Sequence, residues 1–286
     1  MIGFIGVGVM GEPICRHLAR KSGREVMAFD VSPEPLERLR AHGVKVAASV
    51  REVAERCDTV FLSLPGAKQV KEVCVGQASL LIHMKPATYV IDLSTTPLAV
   101  ARDVAQRFQA KGVSYIDAPV ARTRHAAEAG TLLVMVGCSE ALFARIRPLL
   151  EHFASDVVRC GVAGAGQAMK IINNMILFQN VAAIAEALAV IRRLGLDPEK
   201  AFEVLAKGSA DSFALRNHGM KAMVPNQFPE RAFSVEYALK DTAYALELSK
   251  MTRIELPGLK NAKALLEKAA AAGHTTEYFP VIAKMV

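Results

Sequence analysis

Three groups of residues in this chain have types and spacings that do chemistry. Gly6-Val7-Gly8-Val9-Met10-Gly11 is a GxGxxG run set between an apolar stretch and a helix-period stretch. Its glycines have separate jobs: Gly6 permits a tight turn, Gly8 lets a pyrophosphate reach the backbone, and Gly11 lets helix and strand pack closely. The helix behind them offers unpaired N–H groups and partial positive charge to phosphates. Asp30 ends the next apolar run, where a carboxylate accepts from both ribose hydroxyls. Gly6, Gly8, Val9, Met10, Gly11 and Asp30 thus outline a dinucleotide site. A carboxylate at position 30 repels the extra phosphate of NADP, and Val31-Ser32-Pro33 brings no Arg to hold it. NAD is favoured, with NADP as the alternative.

The second group is Lys170 with Asn173 and Asn174, three and four residues on along one helix face. They follow a breaker cluster, Gly161-Val162-Ala163-Gly164-Ala165-Gly166. An ammonium is a poor proton shuttle at neutral pH. A helix N-terminus, nearby cations and partial desolvation all disfavour the charged form and bring its pKa toward a useful range. Lys170 is the candidate general acid/base, and Asn174 the group that holds a substrate hydroxyl or orients the amine. The third group is a pair of strand ends, Leu64-Pro65 and Ser94-Thr95-Thr96, placed where ligands lie in open α/β sheets. Both suit the nicotinamide half. For Ser94 or Thr96, capping the helix that enters at Pro97 is the favoured role.

The elements that position these groups alternate. Short apolar runs at 2–6, 25–30, 59–64, 89–93, 114–117 and 130–137 read as strands, with a last short one at 157–159. Amphipathic stretches at 35–41, 50–56, 97–111 and 140–152 lie between them. Continuous apolar strands separated by helices imply a mostly parallel sheet covered on both faces. After residue 161 helical periodicity takes over, with one long helix from 168 to about 194 and further helices at 199–206, 235–251 and 259–271. The expected class is α/β: a doubly wound Rossmann domain at 1–162, then an all-α substrate and dimerisation domain at 163–286, joined by the long helix.

Composition excludes several functions. At 286 residues and 52% hydrophobic, the chain is long and apolar enough for two cores, which rules out a disordered protein. The formal charge of +7 is scattered, Trp is absent and aromatics are 6%, so no nucleic-acid surface is expected. Five cysteines with no CxxC pair point to reduced, buried thiols and no metal site. The uncharged run 171–185 is short and carries four amides, so no membrane span is expected, and the start lacks a basic leader. A cytoplasmic protein is the expectation.

The chain resembles the β-hydroxyacid dehydrogenase family, to which 3-hydroxyisobutyrate dehydrogenase and tartronate semialdehyde reductase belong. The likeness rests on 3–11, Leu64-Pro65, Asp92-Leu93-Ser94-Thr95, Asp117-Ala118-Pro119-Val120, Gly130-Thr131-Leu132, Gly164-Ala165-Gly166 through Lys170 to Asn174, and Lys240-Asp241. It implies reversible, NAD(P)-dependent hydride transfer on a small anionic 3-hydroxyacid or aldehyde acid. It also implies Lys170 as general acid/base, Asn174 as substrate ligand, Thr95 and Lys240 as cofactor contacts, and a homodimer or homotetramer. Phe233, Tyr237, Lys240 and Asp241 share a helical face if that helix begins by Phe233, with Asp241 at the substrate or in a structural ion pair.

One departure is informative. The family usually has Ser-Gly-Gly after Asp-Ala-Pro-Val, and this chain has Ala121-Arg122-Thr123. That loop is similar to the Arg-Thr version in 3-sulfolactaldehyde reductase, so Arg122 and Thr123 are expected at the anionic end of the substrate. His17 is expected as a packed residue. A 6-phosphogluconate dehydrogenase would need a larger helical domain, and imine reductases usually lack the Lys. A non-catalytic dinucleotide-binding or chromatin-reader module of this fold is the alternative from another class.

Overall fold

The computed structural model describes residues 1–230 and 232–286. The chain divides into two compact units, Met1–Lys170 and Ile171–Val286.

The first unit is built on a sheet whose parallel strands are β1 (Ile2–Ile5), β2 (Val26–Phe29), β3 (Lys45–Val46), β4 (Thr59–Leu62), β5 (Tyr89–Asp92) and β6 (Ser114–Asp117), in the order β3-β2-β1-β4-β5-β6. That order is the doubly wound dinucleotide-binding arrangement. The β1 and β4 side chains are buried on both faces, as their unbroken apolar sequences require. Beyond β6 come β7 (Val120–Ala121) and β8 (Leu132–Gly137), both antiparallel to their inner neighbours, then β9 (Ala154–Gly161) parallel to β8. β9 is an edge strand of eight residues where three were expected. Ser155, Asp156 and Arg159 give it no apolar alternation, so its length comes from pairing with β8 rather than from its own pattern. The helices Ala67–Val75 and Leu80–His83 between β4 and β5 add to the expected set.

The second unit is helical. Its core gathers Phe178, Val181, Ala185 and Leu188 with Phe202, Leu215, Val235, Leu266 and Phe279. The helix Pro198–Leu205 starts as its sequence requires, with Asp197 accepting from Glu199 N at 3.0 Å and proline at the first position. Leu215–Met223 is a π-helix, a form with no signature in apolar spacing. Helices Val235–Thr252 and Pro257–Ala271 follow.

One helix, Ala165–Arg193, runs through the boundary, beginning three residues before its expected start. Its mean hydropathy of 1.6 over the most apolar window makes it long and apolar enough to cross a bilayer, by length and composition alone. The expectation of no membrane span rested on run 171–185, the middle of this helix, and the core helix of a soluble protein passes the same test of length and composition. The helix extends the apolar stretch at both ends, and its Ile, Leu and Ala residues outweigh the amides. It buries Ile171, Phe178, Val181 and Leu188 within the protein. Cys15, Cys57, Cys74 and Cys138 are buried and unpaired, and Cys160 is half-buried.

Candidate active site

The glycine loop follows β1 and enters the helix Gly11–Lys21. Gly6 has φ +89°, and a Cβ there would lie 2.4 Å from the Ser63 carbonyl oxygen. A Cβ on Gly11 would lie 2.0 Å from the Gly6 carbonyl oxygen, whereas one on Gly8 would meet nothing within 4 Å. Two glycines are thus required by the protein's own packing, and the third keeps space open. Met10, at the helix N-cap, makes no side-chain capping bond. Glu12 N donates to the Gly8 carbonyl at 3.0 Å and Pro13 has no N–H, so no side chain closes this helix start and its partial positive charge is left for a phosphate. Asp30, half-buried after β2, accepts from Val7 N at 2.6 Å and from Ser32 N at 2.8 Å. It ties the end of β2 to the glycine loop. These residues fit a dinucleotide.

At the carboxyl ends of β4, β5 and β6 the structure builds a buried polar network. Leu64 N donates to Ser94 Oγ at 2.9 Å, joining the Leu64-Pro65 turn to the Ser94–Thr96 segment. Ser94 therefore does not cap the helix Leu98–Ala110, and neither does Thr96, whose buried hydroxyl has no partner. Pro97 occupies the cap position without a side-chain bond, which corrects the capping expectation. Asp92 accepts from Ser94 N at 2.9 Å and from the Tyr115 hydroxyl at 2.5 Å. Gln167 Nε2 donates to the Ser94 carbonyl at 2.7 Å, and its Oε1 accepts from Thr96 N at 3.0 Å.

Asp117 closes this network at the start of the long helix. Its two oxygens accept from Gly164 N at 2.7 Å and Gln167 N at 2.9 Å, which occupies donors that a helix N-terminus leaves unpaired. Burial pushes the Asp117 carboxyl up to about 7, against the lowering effect of those two N–H groups. Burial likewise raises Asp92 to about 6, opposed by its bonds to Ser94 and Tyr115. Gln167, Asp117 and Asp92 escaped sequence reasoning as site residues. The available signal was the Gln one turn ahead of Lys170 in a glycine-rich run.

Lys170 is half-buried in the early turns of Ala165–Arg193, and Asn174, one turn on, is 2% exposed. Asn174 Nδ2 donates to Asp241 Oδ2 at 2.7 Å, and its Oδ1 accepts from Asn173 at 3.0 Å, so the amide has one orientation. Asp241 is 3% exposed and its Oδ1 has no hydrogen-bond partner, with Lys240 Nζ at 3.4 Å. The Lys240 ammonium lies 5.1 Å and 5.6 Å from the ring centroids of Tyr237 and Tyr244. The helix that carries them begins at Val235, capped by Ser234 Oγ accepting from Tyr237 N at 3.3 Å. Phe233 thus lies outside it, stacked on Phe178 and edge-on to Phe279, and does not share a helical face with Tyr237, Lys240 and Asp241.

In the Ala121-Arg122-Thr123 loop the guanidinium is bonded within the first unit: Arg122 NH1 donates to the Thr131 carbonyl at 2.6 Å and Ser155 Oγ at 2.7 Å, and NH2 to Asp156 Oδ2 at 2.7 Å. The polar edge strand β9, unread in the sequence at this length, supplies Ser155 and Asp156. Arg122 has φ +88°, a region that favours glycine, and its own side-chain bonds hold it there. Thr123 is half-buried at the N-cap of Arg124–Ala129 and makes no capping bond. His17 Nε2 lies 3.0 Å from the Glu128 carbonyl oxygen and packs within the first unit.

Residues 1–162 match the family described as the NAD binding domain of 6-phosphogluconate dehydrogenase, and residues 164–286 match the NAD-binding domain of NADP-dependent 3-hydroxyisobutyrate dehydrogenase. The chain belongs to the β-hydroxyacid dehydrogenase family. It is 36% identical over 284 residues to 2-(hydroxymethyl)glutarate dehydrogenase of Eubacterium barkeri, covering 99% of this chain and 94% of that one. It is 32% identical to 2-hydroxy-3-oxopropionate reductase of Escherichia coli, covering 95% and 93%. Among solved structures, 3-hydroxyisobutyrate dehydrogenase of Mycobacterium tuberculosis, studied with L-serine, superposes with a TM-score of 0.89 at 33% identity, covering 99% and 98%. The chain is accordingly an NAD(P)-binding oxidoreductase of the hydroxyacid type, with a Rossmann domain followed by a helical one.

Proposed function

We propose that this dehydrogenase interconverts a primary alcohol and an aldehyde on the carbon next to a carboxylate-bearing carbon of a small acid, using NAD, with Lys170 handling the hydroxyl proton. The observation that carries this reading is the built start of the Lys170 helix. The Asp117 carboxylate takes two of its first backbone N–H groups and fixes it at the carboxyl ends of the strands. Ligands bind at that edge in open α/β sheets.

When bound, the dinucleotide supplies the hydride donor or acceptor at the nicotinamide. Lys170 Nζ takes the hydroxyl proton on oxidation and returns it on reduction. Asn174, whose amide is oriented by Asp241 and Asn173, offers its remaining Nδ2 hydrogen to the same oxygen. The three relatives are named for 2-(hydroxymethyl)glutarate, 2-hydroxy-3-oxopropionate and 3-hydroxyisobutyrate. All three acids place CH2OH or CHO on the carbon that bears a carboxylate, and they differ in that carbon's other substituent. Thr123 and the backbone beside it receive the carboxylate or, in an analogue, a sulfonate, while Arg122 holds the loop through Asp156.

Asp30 supports NAD over NADP, because its charge opposes a ribose phosphate. Arg38, in the helix after β2, is engaged with Glu12 at 2.7 Å. A homodimer or homotetramer follows from the family likeness, and light scattering tests it. The non-catalytic reading has only the net charge of +7 behind it.

The direct test follows absorbance at 340 nm with NADH or NADPH, against a panel of 3-oxo acids and sulfolactaldehyde. Turnover of a member of this class, with preference for NADH, is expected, and no turnover with any of them would overturn the proposal. Lys170→Ala should keep NADH binding and lose turnover by about 10²–10⁴-fold, the usual worth of a positioned acid/base group. Near-normal turnover would remove Lys170 from the mechanism.

A further inference from the structure

Gln167 is 0% exposed, and its side chain pairs with the single segment 94–96 as a neighbouring peptide unit would. Nε2 donates to the Ser94 carbonyl, Oε1 accepts from Thr96 N, and its own backbone N–H is held by Asp117. Ser94 and Thr96 flank Thr95, and Ser94 Oγ also holds Leu64 N. Lys170 follows three residues later on the same helix, one turn along.

We propose that Gln167 is a positioning residue, whose amide locks the nicotinamide-facing segment 94–96 to the helix that carries Lys170. The inference rests on the reading of Lys170 as the acid/base group. Hydride and proton must move in one geometry, and a misplacement of about 1 Å costs about a hundredfold in rate. The task requires one donor and one acceptor on a single rigid plane. A glutamine amide has both, an ionised carboxylate lacks the donor, and a thioether lacks both hydrogen-bonding functions at useful strength. A chain that needed Gln167 only to fill space would tolerate methionine.

Two variants test this in the full chain, using NAD(H) and whichever acid of the panel turns over fastest. Gln167→Met should lower kcat by about a hundredfold, with the substrate KM and the NADH affinity, read by fluorescence, changed by less than about threefold. In the cofactor-free protein the Thr96 amide, deprived of its acceptor, should exchange with deuterium faster than in the parent. Gln167→Glu adds a pH signature. The introduced carboxyl faces Ser94 and Thr96, just past β5, with Asp92 on β5, Tyr115 and Asp117 on β6, and Lys170 on its own helix as the neighbouring titratable groups. Only its protonated form donates to the Ser94 carbonyl. Activity of this variant relative to the parent should therefore rise as pH falls.

Parent-like kcat in Gln167→Met overturns the proposal. So does a loss in both variants that tracks melting temperature and leaves the pH profile unchanged, which is the mark of a merely structural residue. Retained turnover in Lys170→Ala would instead overturn the functional reading, and Thr96 exchange would still report whether the amide clamp exists.

Discussion

Two glycine-punctuated turns lead from a strand into a helix in the first unit, and they do opposite things. At 6–11 the helix Gly11–Lys21 begins with no side-chain cap, and the position of a Gly8 side chain is open space. At 161–166 the helix Ala165–Arg193 begins with two of its donors, Gly164 N and Gln167 N, taken by Asp117. An uncapped helix start keeps its partial positive charge for an incoming phosphate. A start closed by a buried carboxylate attracts no anion, and becomes a fixed platform that carries Lys170. The same texture in the sequence thus yields an open helix start in one place and a carboxylate-bonded one in the other. What separates them is a single carboxylate about fifty residues away in the chain.

The contrast is easiest to break at the first turn. Gly8→Ala adds a Cβ where the structure has nothing within 4 Å, so the protein should melt as the parent does. Its NADH affinity should fall by about tenfold or more, equivalent to ~1.4 kcal/mol, because the pyrophosphate loses its approach. Gly11→Val should instead lower the melting temperature, since its Cβ collides with backbone. Fluorescence titration and thermal melts on the pair decide it. If both variants lose stability equally, the open space at Gly8 has no role of its own.

A smaller effect is expected at the second turn, and it depends on pH. Burial raises Asp117 from 3.8 to about 7 and Asp92 from 3.8 to about 6. Between pH 4 and 7, roughly, the folded chain binds more protons at these carboxyls than the unfolded chain does, so their contribution to stability declines as pH rises through that window. Thermal melts should show this decline. Asp117→Asn, which keeps one acceptor but cannot ionise, should flatten it. An unchanged slope would mean that Asp117 titrates as an ordinary carboxyl.

The smallest effect concerns the Ala121-Arg122-Thr123 loop. Arg122→Gly relieves the φ of +88° but removes the bonds to Thr131, Ser155 and Asp156. The gain and the loss oppose each other, so the melting temperature should change little while the substrate KM rises several-fold, by about 1 kcal/mol of weaker binding. If KM for every acid in the panel is unchanged, the loop does not meet the anion.

The features legible in the amino-acid order are those whose causes are local. The GxGxxG run, the unbroken apolar strands and the placement of Lys170 and Asn174 one turn apart follow from spacings of a few residues, which the backbone geometry of strand and helix converts directly into shared faces. The position of Asp30 was readable for the same reason, because it directly follows a strand at a known interval. The roles of Gln167, Asp117, Ser94 and Arg122 were not. Their partners lie 71 and 73, 50, 30, and 34 residues away. Whether a hydroxyl caps its own helix or holds a neighbouring loop depends on which backbone groups the folded sheet brings within hydrogen-bond reach. The same holds for a guanidinium that meets a substrate or a carboxylate on an edge strand. Periodicity carries no record of that choice, because buried polar groups select their partners only after the strands have been laid side by side.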